Sequence, residues 1–526
     1  MRERNTEEGE TASIGTFWRL VRSDTCAYAQ DVRTRTMSLV VLIAFAAAAC
    51  SAADPGVTAT RARQGSGGGI ITGDTTNEPQ KDYPIIDGVI DFGERGPTHP
   101  EYDGFLTAAI ADIQSFWATS FAEVYATAWT PLAGGVYAGY PGREAPIPGC
   151  INAPADSTYE EIAQGGAFYC KLNDFMAYDD DGLLPSLVDS LGRESVAIVL
   201  AHEFGHAVQQ RAGEWGRSGV LKEQQADCFA GAWSAHVASG GSDTMTFDDK
   251  AVRSGMVGML QIGKLGDRTD GTKPLDSSDP HGTGFDRVSA FQDGFEGGAQ
   301  RCKAFFTEGR MNKLINIAFD LNDPNAGNLP LIDPNPDPTN GPSDIVTIIP
   351  AGLDVFWVAL TADNSITFTP PTFSDYSSQG PFPTCSGIDD AAWPNNVIYC
   401  PDDNTIYWDK DFAVKLSSDL NFGDMSVGYL FSNAYSEAIQ VALKTTTSGE
   451  NRVLGNDCLT GAWVASIVPP STNAKITLSA GDLDEAVSTA IALSDPTADT
   501  NKVGSAFEKV DAFRTGVLGG LAACQG

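Results

Sequence analysis

Basic residues are scarce in this chain: its 526 residues include 34 Lys and Arg against 68 Asp and Glu, a formal net charge of −34. Binding to nucleic acid or to an anionic membrane surface depends on clustered Lys and Arg that neutralise phosphate groups. The sequence has no such cluster, which argues against both kinds of partner. The acidity is compatible with a soluble exported protein, but ordinary colloidal solubility explains it better than a specific role.

The apolar run nearest the N-terminus, Leu39–Ala49, is shorter than the roughly 20 residues that a membrane-spanning helix needs. Basic residues precede it and small residues end it, which is the pattern of a secretory signal peptide. Small residues before Cys50 resemble the bacterial lipoprotein signal, although Ala47 stands where Leu is more usual. We therefore predict a leader over residues 1–50 and acylation of Cys50 as the mature N-terminus. The protein would be extracytoplasmic and reach the membrane only through this lipid; plain secretion or an uncleaved anchor is the alternative.

Eight cysteines remain when Cys26 in the leader and Cys50 are set aside. An even number in an exported chain predicts disulfides. Their spacing forms two similar series, with gaps of 20, 58 and 74 residues and then of 15, 58 and 66 residues. The two series comprise Cys150, Cys170, Cys228 and Cys302, and then Cys385, Cys400, Cys458 and Cys524.

The sequences around these cysteines repeat as well. Asp227–Trp233 reads DCFAGAW and Asp457–Trp463 reads DCLTGAW, while Phe285–Cys302 parallels Phe507–Cys524. Matches in the same order predict two copies of one domain. The simplest disulfide pattern then keeps each bridge within its copy, as 150–170, 228–302, 385–400 and 458–524. The predicted boundaries are a flexible tether over 51–82, copy one over 83–322, a linker over 323–342 and copy two over 343–526.

Histidine occurs only 5 times in the chain, yet two of the five lie in His202-Glu203-Phe204-Gly205-His206, an HExxH motif. Apolar residues at 196, 199, 200, 204, 207 and 208 predict an amphipathic helix that Gly213 ends. Residues four apart share a helix face, so His202 and His206 can bind one metal ion with Glu203 beside it. Glu203 is then placed to take a proton from metal-bound water. A helix that carries two histidines by chance is the alternative.

A zinc site needs a third protein ligand and an open position for water. The metzincin spacing is absent, because Gln209 and Ala212 occupy its Gly and His positions. Glu223 and Asp227 share one face of a helix predicted over 220–237, an arrangement that resembles the gluzincins. The resemblance implies that Glu223 is the third ligand and that Asp227 accepts a hydrogen bond from the far nitrogen of a ligand His. For two acids alone, a solvated helix face is the alternative.

The segments HEFGHAVQ, from His202, and EQQADCFAG, from Glu223, resemble the bacterial neutral zinc metallopeptidase family, whose members carry HEFGHxxQ and ELQADCxAG. Gln224 departs from that pattern where Leu is usual. Over copy one, the resemblance implies an α+β zincin-like domain with an HExxH active-site helix, Zn²⁺ as cofactor and a peptide or protein substrate. A non-catalytic extracytoplasmic zinc-containing binding protein and an amidase acting on a cell-wall linkage are the alternatives.

Copy two lacks the metal ligands. The places of His202, Glu203, His206 and Glu223 are taken by Asn433, Ala434, Glu437 and Val453, and Asp457 alone keeps the place of its counterpart, Asp227. With no base and at most one plausible ligand, copy two is predicted to be a degenerate pseudo-peptidase domain. It should neither bind zinc tightly nor hydrolyse a substrate.

Two weaker features complete the predicted site. His281, in the loop sequence Asp279-Pro280-His281-Gly282, could stabilise an oxyanion across the cleft, although a loop His is more often a bystander. The segment 166–178 has strand character and could be an edge strand that pairs with an extended substrate. A core strand is an equally good interpretation of that segment.

Overall fold

The computed structural model describes residues 81–151, 153–215, 219–266, 283–304, 329–334, 343–363, 365–419, 422–469, 476–479, 481–493 and 506–524. The predicted leader, Cys50, nearly all of the tether, His281 and most of the linker lie outside these residues. The described part is a mixed α+β fold that is mostly helical, which confirms the predicted α+β class. The domain boundaries stay predictions.

The first half contains a small sheet and a set of packed helices. Its elements are α1 (Asp103–Tyr125), β1 (Gly135–Gly139), α2 (Tyr159–Gly165), β2 (Ala167–Cys170), β3 (Phe175–Asp179), α3 (Leu183–Leu191), α4 (Arg193–Ala212), α5 (Gly219–Ala238), α6 (Asp249–Gly266) and α7 (Gly284–Lys303). The sheet order is β1-β3-β2, with β1 parallel and β2 antiparallel to β3. Strand β3 is buried along its whole length, as expected for a central strand with apolar side chains on both faces.

The second half has the same succession of a helix, a sheet and packed helices. Its elements are α8 (Ile345–Asp363), β4 (Thr372–Tyr376), β5 (Val397–Cys400), β6 (Thr405–Asp409), α9 (Lys410–Val414), α10 (Asp424–Ala442), α11 (Glu450–Ile467), α12 (Asp482–Ala492) and α13 (Ala506–Ala523). Its sheet order is β4-β6-β5, again with one parallel and one antiparallel pair.

The two sheets also agree in register and in their turns. Cys170 faces Phe175 in the first sheet, and Cys400 faces Thr405 in the second. The tight turn before β3 places Asp174 at φ 51°, and the turn before β6 places Asn404 at φ 55°. Acids and amides tolerate this left-handed conformation better than other non-glycine residues do. The two turns therefore have the same left-handed backbone conformation at the residue before each strand.

Four glycines explain how the largest helix pairs meet. A Cβ at Gly231 of α5 would lie 1.9 Å from a carbonyl oxygen of α7, and one at Gly294 of α7 would lie 1.8 Å from a carbonyl oxygen of α5. Gly461 and Gly516 make the corresponding approach between α11 and α13, each 2.0 Å from a facing carbonyl oxygen. No larger residue fits at such a contact, so the helices pack backbone against backbone.

The structure brings the cysteines together in the four predicted pairs. The Cα–Cα separations are 5.7 Å for Cys150–Cys170, 5.6 Å for Cys228–Cys302, 5.9 Å for Cys385–Cys400 and 5.5 Å for Cys458–Cys524. All four lie within the ordinary range for a disulfide. Cys228–Cys302 joins the first of the helix pairs that the glycines bring into contact, and Cys458–Cys524 joins α11 to the residue that follows α13.

The two halves pack on each other through α7 and α13. The rings of Phe285 and Phe513 are 6.2 Å apart, and those of Phe291 and Phe507 are also 6.2 Å apart. In the sequence repeat, Phe285 corresponds to Phe507 and Phe291 to Phe513. Each contact is therefore the counterpart of the other, which is the pattern of a two-fold interface.

Helix α8 is, within the described residues, the one helix long and apolar enough to cross a membrane by length and composition alone. Its residues Ile345, Ile349, Leu353 and Trp357 are buried in the protein core. Core helices of soluble proteins pass the same test, so α8 does not assign a membrane span.

Candidate metal site

Helix α4 carries His202, Glu203 and His206 and ends at the predicted position. Gly213 follows its last residue at φ 74°, and its amide bonds to the carbonyl oxygens of the last turn. The helix is buried from Ser195 to Gln209, more completely than an amphipathic surface helix would be. Burial on several sides keeps the three polar side chains away from bulk water.

The neighbouring helix α5 brings Glu223 to the two imidazoles. Glu223 Oε2 lies 3.3 Å from His202 Nε2 and 3.1 Å from His206 Nε2. Donor atoms of His202, Glu203 and His206 all lie within 4.8 Å of one another. Ligand atoms at ordinary zinc distances in a tetrahedral site are about 3.3 Å apart. The spacing and chemistry of His202, His206 and Glu223 therefore fit a zinc ion.

Asp227 lies one helical turn beyond Glu223 and contacts the far side of the His202 ring. Its Oδ1 is 2.6 Å from His202 Nδ1. Arg287 of α7 donates to both oxygens of the same carboxylate, from Nε at 3.0 Å and from Nη2 at 2.9 Å. Asp227 is 0% and Arg287 1% exposed, so each buried charge has its partner. The carboxylate holds His202 with Nε2 directed toward Glu223.

Gln209 orients the His206 ring, as Asp227 orients the His202 ring. Its Oε1 lies 3.0 Å from His206 Nδ1, and its Nε2 donates to the Lys222 carbonyl oxygen at 2.6 Å and to Gln225 Oε1 at 3.1 Å. These bonds fix the amide so that its oxygen faces the imidazole. Gln209, which stands where the metzincin motif has Gly, thus orients His206.

Glu203 lies between the histidines and the edge of the sheet. Its Oε2 accepts a hydrogen bond from the Tyr169 amide of β2 at 2.9 Å, and the residue is 8% exposed. Of the segment 166–178, β2 is an edge strand and β3 the central strand, so edge and core positions each apply to part of its length, while pairing with a substrate stays a prediction. The edge strand is the part next to Glu203.

The electrostatics of the site favour positive charge between its carboxylates. Burial would lower the pKa of His202, but Asp227, Glu223 and Glu203 raise it to about 10. Burial would raise the pKa of Glu223, but the two imidazoles hold it well below its usual value. The pKa of Asp227 is likewise lowered against the effect of burial, first by Arg287 and then by His202. The same field would stabilise a divalent cation in exchange for protons.

The corresponding place in the second half contains an ion pair. Arg452 donates to both oxygens of Glu437 at 2.6 to 3.1 Å. Asn433 donates to Asp457 at 2.8 Å, the contact that His202 makes with Asp227 in the first half. Lys509 bonds both oxygens of Asp457, at 3.0 and 2.7 Å, in the place of Arg287.

The structure therefore brings together five of the six predicted catalytic, ligand and orienting residues: His202, Glu203, His206, Glu223 and Asp227. The sixth, His281, lies outside the described residues. Their individual roles stay predictions. Arg287 and Gln209 were not predicted as parts of the site. The sequence did contain a signal for Arg287, because the corresponding position of the second half is also basic, Lys509.

Fold and site together define a mixed α+β protein with a candidate metal-binding donor set, and part of the chain is similar to a known family. Residues 157–305 match the sequence model of a family described as "Putative neutral zinc metallopeptidase". The match extends from just before α2 to just after α7 and includes all five residues. The resemblance indicated by HEFGHAVQ and EQQADCFAG is confirmed over this part of the chain, and the family implies zinc as the metal.

Two relatives illustrate the extent of the similarity. Uncharacterized protein Rv2575 of Mycobacterium tuberculosis is 30% identical over 156 residues, which cover 25% of this chain and 52% of that protein. Uncharacterized protein YpfJ of Escherichia coli K12 is 30% identical over 159 residues, which cover 27% of this chain and 54% of that protein. The chain thus spans about half the length of the curated relatives it matches. No solved structure gives a significant match.

Proposed function

We propose that the first half is a zinc-dependent peptidase in which His202, His206 and Glu223 hold Zn²⁺ and Glu203 is the general base. The observation that carries the proposal is the convergence of both imidazole Nε2 atoms on one oxygen of Glu223, at 3.3 and 3.1 Å, with the Glu203 carboxylate beside them. A purely structural zinc site is closed by four protein ligands and needs no buried acid next to three of them.

Held by His202, His206 and Glu223, zinc would supply Lewis-acid chemistry for the scissile carbonyl and for the attacking water near neutral pH. Glu203 removes a proton from the attacking water and delivers it to the leaving amine. The bond from the Tyr169 amide occupies one of its carboxylate oxygens, and the other remains for the proton. Asp227 and Gln209 keep the two imidazoles oriented throughout.

The substrate in this proposal is a peptide or protein in extended conformation. Strand β2 supports this, because it lies at the edge of its sheet and directly next to Glu203. A strand edge can bind extended peptides through backbone hydrogen bonds, and the half-buried Ala167 and Phe168 are the part of β2 suited to this, since Tyr169 and Cys170 are buried.

The second half, in the same proposal, is a degenerate copy of the first that neither binds zinc nor hydrolyses substrate. Matched sheet order, matched register and the reciprocal Phe contacts between α7 and α13 support the duplication. The Arg452–Glu437 pair supports the loss of the metal, because an internal cation already neutralises the carboxylate at the place of His206. Export with a lipid anchor at Cys50 completes the proposal, and four disulfide pairs suit an oxidising compartment.

The test is a zinc measurement combined with a cleavage assay on the purified chain from residue 51 onward. We expect about one zinc per chain and cleavage of unstructured peptides that a chelator abolishes and added zinc restores. Glu203→Ala and Glu203→Gln should keep the zinc and lose cleavage. Glu437→Gln, on the corresponding helix of the second half, controls for the loss of a buried carboxylate: it should retain zinc and cleavage, although the unpaired Arg452 should lower stability.

Retained cleavage in both Glu203 variants would contradict the general-base assignment. Zinc binding without cleavage of any peptide would favour the non-catalytic binding protein. Release of amino groups from peptidoglycan fragments, but not from peptides, would favour the cell-wall amidase.

A further inference from the structure

The N-terminus of α7 is capped by a carboxylate from the second half. Asp484 of α12 accepts hydrogen bonds from the Phe285 amide at 2.7 Å and from the Gly284 amide at 3.1 Å. Asp484 is 2% exposed. A Cβ at Gly284 would lie 2.9 Å from this carboxyl group, so the glycine permits the approach. A buried carboxylate that binds two free helix amides also complements the positive end of the helix dipole.

A cation from the second half binds the same turn. Arg514 of α13 donates from Nη1 to the Phe285 carbonyl oxygen, and its guanidinium lies 4.1 Å above the centre of the Phe285 ring. The same Nη1 is 4.0 Å from Asp286 Oδ1. Arg514 is buried, with 4% of its surface exposed. Two charged side chains of the second half thus contact three consecutive residues of α7.

The next residue of that turn is Arg287, which leads directly to the candidate metal ligands. Arg287 is paired with both oxygens of Asp227, and Asp227 contacts His202 Nδ1 at 2.6 Å. The position of the first turn of α7 sets where the Arg287 guanidinium can reach. A shift of this turn would weaken the bidentate pair, whose geometry is restrictive.

We propose that the second half acts as a positioning domain for the metal site of the first. Asp484 and Arg514 fix the first turn of α7, Arg287 on that turn fixes Asp227, and Asp227 fixes His202 for metal binding. Asp484 is a positioning residue and touches neither metal nor substrate. The inference rests on the proposed zinc-binding function and gives the degenerate copy a task that does not need its lost ligands.

The experiment measures zinc affinity, by competition with a chromophoric chelator, in the full chain and its Asp484→Asn variant. Loss of an outer partner of a metal ligand typically weakens metal affinity by about 10- to 100-fold. Because Asp484 acts through two further residues, we expect a loss near the lower end of that range. Asp482→Asn is the matched control: Asp482 is buried on the same helix, but its bonds go to Ser479 within the second half. It should leave zinc affinity unchanged.

A double-mutant cycle separates positioning from general destabilisation. If Asp484 acts through Arg287, Asp484→Asn should weaken zinc binding much less in an Arg287→Gln background than in the wild type. Arg514→Met tests the same turn if Asp484→Asn does not fold, and it should also weaken zinc binding.

Unchanged affinity in the folded Asp484 and Arg514 variants would overturn the inference, as would equal losses in Asp484→Asn and Asp482→Asn. Strict additivity with Arg287→Gln would overturn it too. A wild-type chain that binds no zinc would instead refute the proposed function itself, so the two failures are distinguishable.

Discussion

The Asp227→Asn substitution keeps the side-chain shape but removes the charge that the Arg287 guanidinium contacts at 2.9 and 3.0 Å. Both residues are almost fully buried, at 0% and 1% exposure, so Arg287 would keep an unpaired charge in the core. Removing one partner of a buried ion pair costs about 3–5 kcal/mol, a large part of the roughly 5–15 kcal/mol that stabilises a domain. The variant should therefore lose both stability and zinc affinity.

The two losses can be separated by a second substitution. Asp227→Asn combined with Arg287→Met removes the unpaired charge and should recover much of the unfolding free energy, because an apolar replacement of a whole buried pair is often neutral. Zinc affinity should stay about 10- to 100-fold low, because His202 still lacks its carboxylate. Urea unfolding gives the first quantity and chelator competition the second.

Asp457→Asn is the matched control for this pair of measurements. Asp457 is equally buried and is bonded by Lys509, so its loss should destabilise the second half. Because its hydrogen bonds go to Tyr429, Asn433 and Lys509 within that half, zinc affinity should not change while the second half stays folded. Full recovery of zinc affinity in the Asp227/Arg287 double variant would refute the orienting role. Wild-type stability in Asp227→Asn alone would refute the buried-pair argument.

Two further predictions concern pH and packing. The pKa of His202 in the metal-free site is raised from 6.5 to about 10, so zinc must displace a proton at neutral pH. Zinc affinity should therefore rise with pH. Calorimetry of zinc binding in buffers of different ionisation enthalpy should show the proton release. The raised pKa also stabilises the metal-free fold below pH 6.5, and that contribution should be lost as pH rises through about 10. Zinc binding without proton release would contradict this argument. Gly294→Ala places a Cβ 1.8 Å from the Cys228 carbonyl oxygen and should lower the unfolding free energy by several kcal/mol. The control is Gly258→Ala, whose Cβ would have its nearest atom, Ser195 Cβ, at 3.5 Å and should be neutral or mildly stabilising. Thermal unfolding measures both.

The features that the sequence predicts well are those that depend on short-range patterns. The helix through His202 and His206 follows from apolar spacing and ends at Gly213 as predicted. Glu223 and Asp227 share a helix face because they are four residues apart. The four disulfide pairs agree with the simplest pattern that the repeated cysteine spacing suggests, in which each bridge stays within its own half.

The features that the sequence predicts poorly depend on tertiary packing. Arg287 is 60 residues from Asp227, and no local pattern connects an arginine near a helix N-terminus to that particular carboxylate. Gln209 was informative only as a departure from another spacing, since its role depends on the Lys222 carbonyl oxygen of a second helix. The contact of Asp484 with Gly284 spans 200 residues and could not be inferred from the sequence of either half alone.

The second half shows which parts of the site belong to the fold and which belong to the metal. Asn433, Glu437 and Val453 stand at the positions that correspond to the predicted ligands, and Asp457 accepts hydrogen bonds from a buried Lys509 on the last helix. A buried acid on one helix paired with a basic residue on the last helix is therefore common to both halves, whereas the predicted ligands occur only in the first. In the first half, the Asp227–Arg287 pair has the same structural role and in addition contacts His202. In the proposed function, zinc binds to a helix pair that its glycines, its disulfide and its ion pair already hold together, so removing zinc should abolish the proposed cleavage without unfolding that helix pair.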